Sequence, residues 1–290
     1  MERIDRIMGA LFGVACGDAL GGTLEFMSKK HGKSLYGYHK EMIGGGLMHL
    51  KPGEVTDDTM MTIAVAEGII ENKQAPINNI GEKFISWYNT DPKDIGITCS
   101  DAISKYLKCG DWNEASLYVH NISGGMSAGN GSLMRCIPVA LCYGDIYKLV
   151  EVSRAQSKMT HFDEKASDAC IIYNMIVYKY LNGENKDKAV IEAIKGNKEY
   201  ENIFSLKKEM LNPSGYVVDS LKCALYCFLK NSNVGDIICE AVNLYGDPDT
   251  IGAIAGGLAG AYYGYSNIPE RWRNKIILKN KLKSIAEKLN

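Results

Sequence analysis

The chain has 290 residues, of which 46% are hydrophobic and 23% are charged, a composition typical of a globular protein and not of a disordered or fibrous one. Its formal net charge is −1, and it has no basic stripe, so the charge pattern gives no reason to expect a nucleic-acid partner. The nearly apolar run over 251–265 is shorter than the ~20 residues that a membrane helix needs, so we predict no membrane span.

The nine cysteines are scattered through the chain, and none lies in the CxxC pair that zinc ribbons and redox sites use. Most of them sit within apolar patterns, which indicates buried thiols. The N-terminal segment carries Asp5 among its apolar residues, unlike a signal peptide. An odd number of cysteines without framework spacing therefore predicts reduced thiols and a cytoplasmic location.

Apolar residues recur at spacings of three and four near the N-terminus, a pattern that predicts an amphipathic helix ending in the glycine-rich turn 17–22. They are Ile4, Ile7, Met8, Leu11 and Ala15. Residues 29–55 contain Gly44-Gly45-Gly46 and Pro52-Gly53, which predict a long irregular connection. Connections of that length inside a compact domain tend to be functional.

Helical patterns cover most of the remaining chain. They run over 56–71, 77–87, 94–107, 132–142, 161–180, 216–229 and 234–244. A Gly/Ser/Asn-rich loop over 123–131 and a polar, lysine-rich stretch up to Leu211 separate some of them. Because no segment shows a period-two alternation bounded by turns, we predict an all-α fold. The chain has no Pro- or Ser-rich linker, so we expect one domain over 1–290.

Two acidic clusters stand immediately before apolar segments. They are Thr56-Asp57-Asp58-Thr59 and Gly246-Asp247-Pro248-Asp249-Thr250. On a helix, Asp247 and Asp249 would point about 200° apart, so we expect both to precede the helix, and Pro248 agrees with that position. Either cluster alone is also explained as a helix N-cap, since Asp and Thr are favoured there. Two clusters with doubled acids favour a functional site.

If the four carboxylates of these clusters converge, their mutual repulsion requires cations among them, because neighbouring like charges resist joint ionisation. All the donors are hard oxygens, without His or Cys, which favours Mg²⁺ or Mn²⁺ over zinc. Behind the second cluster, Gly252, Gly256, Gly260 and Gly264 are spaced four apart. Each glycine in a helix costs up to about 1 kcal/mol relative to alanine. We therefore predict a buried helix whose backbone is closely approached by its neighbours.

The ordered set of motifs resembles the ADP-ribosylglycohydrolase family over nearly the whole chain. The motifs are Gly17-Asp18-Ala19-Leu20-Gly21 with Glu25-Phe26, Thr56-Asp57-Asp58-Thr59, Gly129-Asn130-Gly131-Ser132-Leu133-Met134-Arg135, Thr160-His161, Ser214-Gly215-Tyr216, Gly246-Asp247-Pro248-Asp249-Thr250 with Gly252, and Ile268-Pro269 with Trp272. Pro248 stands where the family frequently has threonine, and Val55 where it often has an aromatic residue. Neither difference removes a ligand.

The resemblance implies an all-α fold with two Mg²⁺ or Mn²⁺ ions and an ADP-ribose cleft. The implied metal ligands are Thr56, Asp57, Asp58, Asp247, Asp249 and Thr250. The implied substrate contacts are Glu25, Asp94, the loop Ser127 to Gly131 with Gly129 and Asn130, His161, and Ser214, Gly215 and Tyr216.

The same residues can be interpreted without the resemblance. The Gly/Ser/Asn-rich loop offers backbone N–H groups to a diphosphate, especially if a helix starts at Ser132, although a plain turn is commoner. Tyr216 either stacks on adenine or simply packs, and His161 either contacts ligand or caps a helix. In an apolar stretch, Arg135 is expected to be a buried ion-pair partner. Asp18 is expected to be a hydrogen-bonding residue within its glycine turn.

The resemblance implies hydrolysis at ribose C1″ of an ADP-ribosyl group, through an oxocarbenium-like state. The acidic residues at the predicted metal site make Glu25, Asp57 and Asp58 the candidates for taking a proton from water. We expect an ADP-ribosylated protein or small molecule as substrate, ADP-ribose as product, and nucleic acid only as an ADP-ribosylated acceptor. Two alternatives stay open: a metal-dependent hydrolase of another nucleotide-type metabolite, and a non-catalytic ADP-ribose binder. The acceptor, the base, the choice of Mg²⁺ or Mn²⁺ and the oligomeric state are not predicted.

Overall fold

The computed structural model describes residues 1–290, which form fifteen α-helices and no β-strand, so the all-α prediction is confirmed. The helices are α1 (Arg3–Gly21), α2 (Lys29–Tyr36), α3 (Asp57–Glu71), α4 (Ile77–Tyr88), α5 (Ile97–Cys109), α6 (Trp112–Ile122), α7 (Ile137–Cys142), α8 (Ile146–Lys158), α9 (Glu164–Leu181), α10 (Lys186–Ile194), α11 (Val217–Lys230), α12 (Val234–Val242), α13 (Pro248–Tyr263), α14 (Glu270–Lys275) and α15 (Lys279–Leu289). They share one hydrophobic core of 76 buried residues. None of them combines the length and the apolar character that a membrane crossing needs.

The centre of the fold is an antiparallel pair formed by α1 and α13. Glycines on α1 meet glycines on α13 in register: Gly17 faces Gly252, Gly13 faces Gly256 and Gly9 faces Gly260. A Cβ atom on Gly13 would lie 2.0 Å from the carbonyl oxygen of Gly256, so no side chain fits between the two backbones. The prediction of a closely approached glycine helix is confirmed, and α1 is the neighbour that approaches it.

This close contact continues to the ends of the two helices. Gly21, the last residue of α1, lies against the backbone of Pro248 and Asp249 at the start of α13. The residues that follow α1, including Glu25, are thereby held beside the second acidic cluster. The glycine contact thus positions the Glu25 carboxylate beside acidic residues that are more than 200 positions away from it in sequence.

Two sequence predictions near the N-terminus were wrong. The first helix does not end at Gly17 but continues to Gly21, so Asp18 lies within a helix and not in a glycine turn. Residues 29–55 are not irregular throughout, because α2 occupies Lys29–Tyr36. The side chain of Ser28 accepts a hydrogen bond from the His31 N–H and so caps this short helix. After α2, the chain runs without helix to α3 through three glycines with positive φ, at 44–46.

The helix predicted from Ser132 also begins later, at Ile137. Residues 131–135 form turns instead, with the N–H groups of Leu133 and Met134 both donating to the Asn130 carbonyl. Pro138 stands in the first turn of α7, where its missing N–H costs nothing. The glycine-rich loop before Ser132 therefore has no helix N-terminus to offer a diphosphate.

Besides α2, five helices were not predicted from the sequence: α6, α8, α10, α14 and α15. Three of these begin at side-chain caps, where Asp111, Asp145 and Asn185 accept backbone N–H groups. A similar cap, Asp163, starts α9, so His161 is not the helix cap that the sequence allowed. The capping residues can be recognised in the sequence, but these helices have many polar residues, so their apolar spacing did not predict them.

Candidate functional site

An acidic cleft of about 240 Å³ lies at the N-terminal ends of α3 and α13. Its walls also come from the turn after α1, the segment that leads into α5, and the loops at 129–131, 161 and 215. Eleven of the residues predicted for the site line it: Glu25, Asp57, Asp94, Gly129, Asn130, Gly131, His161, Gly215, Asp247, Asp249 and Thr250. The structure therefore brings together segments from both ends of the chain.

Three carboxylates form the tightest group in this cleft. Glu25, Asp247 and Asp249 each offer an oxygen atom, and these atoms all lie within 4.8 Å of one another. The side chains of Glu25 and Asp249 are buried, and Glu25 Oε2 has no hydrogen-bond partner. Asp247 precedes α13 as expected, whereas Asp249 lies in its first turn. This geometry could hold a divalent cation, since Mg²⁺, Mn²⁺ and Ca²⁺ prefer oxygen ligands.

The first acidic cluster joins this group through α3. Asp57 and Asp58 occupy the first turn of the helix, not the segment before it. Asp58 Oδ2 accepts hydrogen bonds from the hydroxyls of Thr56, at 3.3 Å, and Thr250, at 3.5 Å. Asp58 Oδ1 is buried without a partner. The contact between Asp58 and Thr250 shows that the two clusters converge, although 192 positions separate them.

Asp18 holds the start of α3 from below the cleft. Its carboxylate accepts hydrogen bonds from the backbone N–H of Thr56, at 2.9 Å, and of Thr59, at 3.0 Å, and from both threonine hydroxyls. Burial raises the pKa of Asp18 to about 6, while the hydrogen bonds from Thr59 and Thr56 lower it. The predicted structural role of Asp18 is confirmed, but it acts from within α1 as a cap on another helix.

Burial and mutual repulsion make the acidic site costly to ionise. Burial first, and the charge of Asp247 second, raise the pKa of Glu25 to about 8. Burial and then the charge of Asp94 raise the pKa of Asp57 to about 7. Burial raises the pKa of Asp58 and of Asp249 well above its ordinary value, and the charge of Asp18 adds to this for Asp58 and that of Glu25 for Asp249. The cleft lining contains no lysine or arginine, so the residues present fit a bound cation as the missing counter-charge.

Two loops form the wall next to Asp247 and are joined to each other by backbone hydrogen bonds. The N–H of Asn130 donates to the Gly215 carbonyl, and the N–H of Val217 donates to the Ala128 carbonyl, both at 3.0 Å. The side chain of Asn130 donates to Asp247 Oδ2 at 2.7 Å and to the Ser220 hydroxyl at 2.8 Å. The loops are therefore tied directly to the acidic group.

His161 lies behind these loops as a neutral, buried ring. A Cβ atom on Gly129 or on Gly131 would stand 3.1 Å from its imidazole, which explains glycine at both positions. Its Nδ1 shares a hydrogen bond with the Thr160 hydroxyl at 2.8 Å. Burial, and then the positive charge of Arg135, lower the pKa of His161 to about 3. The ring lines the cleft without carrying charge.

Other predicted residues point their side chains elsewhere. Ser127 is buried and pairs with His120 Nδ1 at 2.7 Å, and the Ser214 hydroxyl donates to Asp219 at 3.0 Å. Thr56 donates to Asp18 and lines a separate, smaller cavity. The Tyr216 ring is half-buried, and its hydroxyl accepts from Lys165 Nζ at 2.9 Å. These residues shape the cleft through their backbone or through their neighbours.

The prediction of an ion pair for Arg135 was wrong. Its guanidinium is fully buried and donates to neutral groups: the side-chain and backbone oxygens of Gln156 and the Thr160 hydroxyl. It also lies 4.5 Å from the centre of the Phe84 ring. No acid was needed because oxygen dipoles and an aromatic face satisfy the charge.

Several residues of the cleft rim were not predicted from the sequence. Phe26 follows Glu25, has φ of 62° and is 62% exposed. Ile97, Thr98 and Cys99, in the first turn of α5, also line the cleft, as does Met134. Phe26 stood in the motif that carried the resemblance, and Ile97 follows Asp94 by three positions. Their closeness in sequence to predicted site residues was therefore the only sequence signal that could have indicated these rim residues.

Comparison with known proteins identifies the family. The sequence model described as ADP-ribosylglycohydrolase matches residues 1–290. The chain belongs to the ADP-ribosylglycohydrolase family. It is 34% identical to the ADP-ribosyl-[dinitrogen reductase] glycohydrolase of Rhodospirillum rubrum, over 95% of this chain and 91% of that protein. Membership of this family makes the chain a glycohydrolase enzyme and confirms the resemblance seen in its motifs.

Further relatives and a solved structure agree with this family. The ADP-ribosylarginine hydrolase Tri1 of Serratia proteamaculans is 33% identical over 99% of this chain and 80% of its own length. The ADP-ribosylhydrolase ARH3 of Xenopus tropicalis is 24% identical over 93% of this chain and 90% of its own. A solved structure titled ADP-ribosylglycohydrolase-related protein complex superposes with a TM-score of 0.85 at 31% identity, covering 99% of this chain and 98% of that one. The solved structure thus shares the fold of this chain over nearly its whole length.

Proposed function

We propose that this glycohydrolase is metal-dependent and releases ADP-ribose from an ADP-ribosylated protein or small molecule by cleaving the glycosidic bond at ribose C1″. The observation that carries the proposal is the convergence of four buried carboxylates, Glu25, Asp57, Asp58 and Asp249, and the half-buried Asp247 at and just behind a cleft whose lining has no cationic side chain. A site of this kind needs external positive charge. The names of the relatives in this family support ADP-ribose as the group that is released.

Two divalent cations, Mg²⁺ or Mn²⁺, would be held by Glu25, Asp247 and Asp249 on one side and by Asp57 and Asp58 on the other. The hydroxyls of Thr56 and Thr250 stand beside Asp58 and would complete the set of oxygen donors. When bound, such cations supply positive charge and Lewis acidity. The partnerless oxygens Glu25 Oε2 and Asp58 Oδ1 support this assignment, because buried acceptors are rarely left unsatisfied.

The loops at 129–131 and 214–216 would hold the substrate. The N–H groups of Gly129 and Gly131 donate to no protein acceptor, so they are available to a diphosphate. Because the His161 ring behind them is uncharged, it would not pair with the phosphates, and these backbone N–H groups would bind them instead. Tyr216, next to Gly215, would stack on a base, and Asp94, which lines the cleft, would contact the ribose.

Hydrolysis requires a group that takes a proton from water as its oxygen bonds to C1″ and the bond to the acceptor breaks. The acceptor then leaves with a proton, and ADP-ribose carries the new hydroxyl. Glu25 and Asp57 line the cleft, whereas Asp58 lies behind it. Among the three candidates, this placement favours Glu25 or Asp57 as the proton acceptor.

A panel of substrates tests the proposal. Arginine-linked, serine-linked and nucleic-acid-linked ADP-ribose would be incubated with the enzyme and Mg²⁺, Mn²⁺ or chelator, and products identified by mass spectrometry. We expect free ADP-ribose from at least one linkage, lost with chelator and in Asp249→Ala. Full release by Asp249→Ala with unchanged metal dependence would refute the assigned site. Inorganic phosphate as the product would show a different hydrolase.

The cysteines support a reducing location. All nine are unpaired, and eight of them are buried. Burial raises the pKa of the Cys16, Cys223 and Cys239 thiols, which keeps them protonated and unreactive. We infer a cytoplasmic enzyme, as the cysteine spacing suggested.

A further inference from the structure

The carboxylate of Asp247 is held by a residue outside its own helix. Asp247 is the N-cap residue of α13, but its side chain accepts no hydrogen bond from that helix. Its Oδ2 atom instead accepts a hydrogen bond from the Asn130 amide at 2.7 Å. Asp247 is half-buried, whereas Asp249 is buried, so packing restrains Asp247 less. The direction in which the Asp247 carboxylate points therefore depends on Asn130.

The Asn130 amide has both of its hydrogens engaged. One is donated to Asp247, and the other is donated to the Ser220 hydroxyl at 2.8 Å. An ionised carboxylate only accepts hydrogen bonds, so the NH₂ group of Asn130, and not its carbonyl oxygen, has to face Asp247. In the reversed orientation, the amide oxygen would face the carboxylate and repel it. The hydrogen bond to Ser220 opposes this rotation.

The backbone of the second loop orients Ser220 in turn. Ser220 lies in the first turn of α11 and is fully buried. Its hydroxyl lies 2.7 Å from the Ser214 carbonyl oxygen and 3.2 Å from the Tyr216 carbonyl oxygen. A hydroxyl has a single hydrogen, and the shorter contact assigns it to Ser214. The lone pairs of Ser220 Oγ are then available to the Asn130 amide.

Resting on the function proposed above, we propose that Ser220 is a positioning residue of this glycohydrolase, which acts through Asn130 to direct the Asp247 carboxylate at a bound divalent cation. Ser220 does not line the cleft, so its effect on the site is indirect. Groups that hydrogen-bond behind a metal ligand fix the orientation of that ligand. Without the Ser220 hydroxyl, Asn130 can rotate, and Asp247 loses the contact that orients it.

The backbone contacts between the two loops cannot replace this hydroxyl. The N–H of Asn130 donates to the Gly215 carbonyl at 3.0 Å, which holds the main chain of Asn130 but not its side chain. Buried serines in helices also bond to the carbonyl four positions earlier, which for Ser220 is that of Tyr216. Such a role would be local to α11 and would not affect Asp247. The two interpretations therefore predict different effects on metal binding.

Titration with Mn²⁺ tests the proposal in Ser220→Ala, with Ser153→Ala as the matched control. Ser153 is also fully buried and accepts a hydrogen bond from an asparagine, Asn174, at 2.9 Å, but it lies outside the cleft. Electron paramagnetic resonance of free Mn²⁺ gives the Kd. For Ser220→Ala we expect the Kd of Mn²⁺ to rise about tenfold. Ser153→Ala should keep it within about twofold of the wild type.

Ser220→Cys separates hydrogen bonding from packing. Cysteine fills the position, but its thiol is a weak donor and a weak acceptor, so we expect Mn²⁺ binding to weaken as in Ser220→Ala. Thermal melting would show that each variant is folded at the temperature of the titration. The inference is overturned if Ser220→Ala keeps the wild-type Kd, if Ser220→Cys restores it, or if Ser153→Ala weakens Mn²⁺ binding equally.

A measurement without metal separates this inference from the proposed function. The side-chain NH₂ resonances of Asn130 would be assigned by their absence from the spectrum of Asn130→Ala. In metal-free protein, these hydrogens should exchange with water at least about tenfold faster in Ser220→Ala than in the wild type. Equal exchange rates overturn the inference even if the wild type binds Mn²⁺ and releases ADP-ribose. If the wild type binds no Mn²⁺, the proposed metal dependence fails together with the positioning role.

Discussion

The middle and the end of the α1–α13 pair obey opposite physical requirements. In the middle, glycine backbones touch, no charge is present, and the packing leaves no room for a methyl group. At the end, the buried carboxylates of Glu25, just after α1, and Asp249, in the first turn of α13, lie side by side, and burial, followed by the charge of Glu25, raises the pKa of Asp249. The tight interface stabilises the fold enough to keep an unfavourable site in place. This division is typical of enzymes, in which strained or repulsive groups persist where the surroundings enforce them.

The largest expected effect comes from disrupting the glycine contact between α1 and α13. Gly256→Ala places a Cβ about 2.1 Å from the Gly13 carbonyl oxygen, so the helices have to separate. The free energy of unfolding should fall by about 3 kcal/mol or more, even though alanine favours helices by about 1 kcal/mol. Urea unfolding measures the change.

The matched control is Gly144→Ala, where a Cβ would meet no atom within 4 Å. We expect this variant to keep the stability of the wild type within about 0.5 kcal/mol. If both alanine variants unfold alike, close packing of α1 on α13 is not what stabilises the fold.

A substitution among the buried carboxylates should change the free energy of unfolding in the opposite direction. Asp249→Asn removes one of the buried charges, so the chelator-treated protein should gain about 1–2 kcal/mol in free energy of unfolding while losing activity. Asp101→Asn, at an exposed position on α5, serves as control and should change neither property. A destabilised Asp249→Asn protein in chelator would show that the carboxylates do not repel one another.

The pH dependence of the free energy of unfolding also tests whether the buried carboxylates destabilise the fold. The pKa of Glu25 is about 8 in the folded chain against an ordinary value of 4.5, and that of Asp57 is about 7. Both are raised, so their contribution to stability is complete below the unfolded-state pKa and is lost as pH rises through the folded-state pKa. In chelator, the free energy of unfolding should therefore fall between pH 5 and 8, by on the order of 1 kcal/mol per unit.

Mg²⁺ or Mn²⁺ should remove most of this decline, because cations neutralise the ionised carboxylates. Thermal melting from pH 5 to 8, with chelator and with each metal, measures the two slopes. Identical slopes in metal and in chelator would count against a metal site at these residues.

The smallest effect concerns a loop residue that supports the cleft from outside. Ser127→Ala removes the hydrogen bond to His120, which should cost about 1 kcal/mol of stability and leave the Kd of ADP-ribose within about threefold of the wild type. Calorimetry with ADP-ribose measures this. A large loss of ADP-ribose affinity with unchanged stability would instead place the Ser127 hydroxyl on the substrate.

Much of the site was visible in the sequence because its signals are local. Doubled acids beside a threonine, placed just before an apolar segment, indicated Asp57, Asp58, Asp247 and Asp249 at helix starts. The boundary errors arose where a local cap or turn overrode the periodicity. Asn130 accepts two turn hydrogen bonds that delay α7, and Ser28 starts a helix in a stretch that looked irregular.

What only the tertiary structure decided is which groups face one another. Hydrophobic and glycine periodicity identify the face of a helix that is buried, but not the surface that covers it. For this reason the sequence predicted a closely approached α13, while only the fold shows that α1 covers it and carries Glu25 into contact with Asp247 and Asp249. The hydrogen bonds that link Ser214, Ser220, Asn130 and Asp247 depend on the same convergence, since positions 130, 220 and 247 become neighbours only when the helices pack.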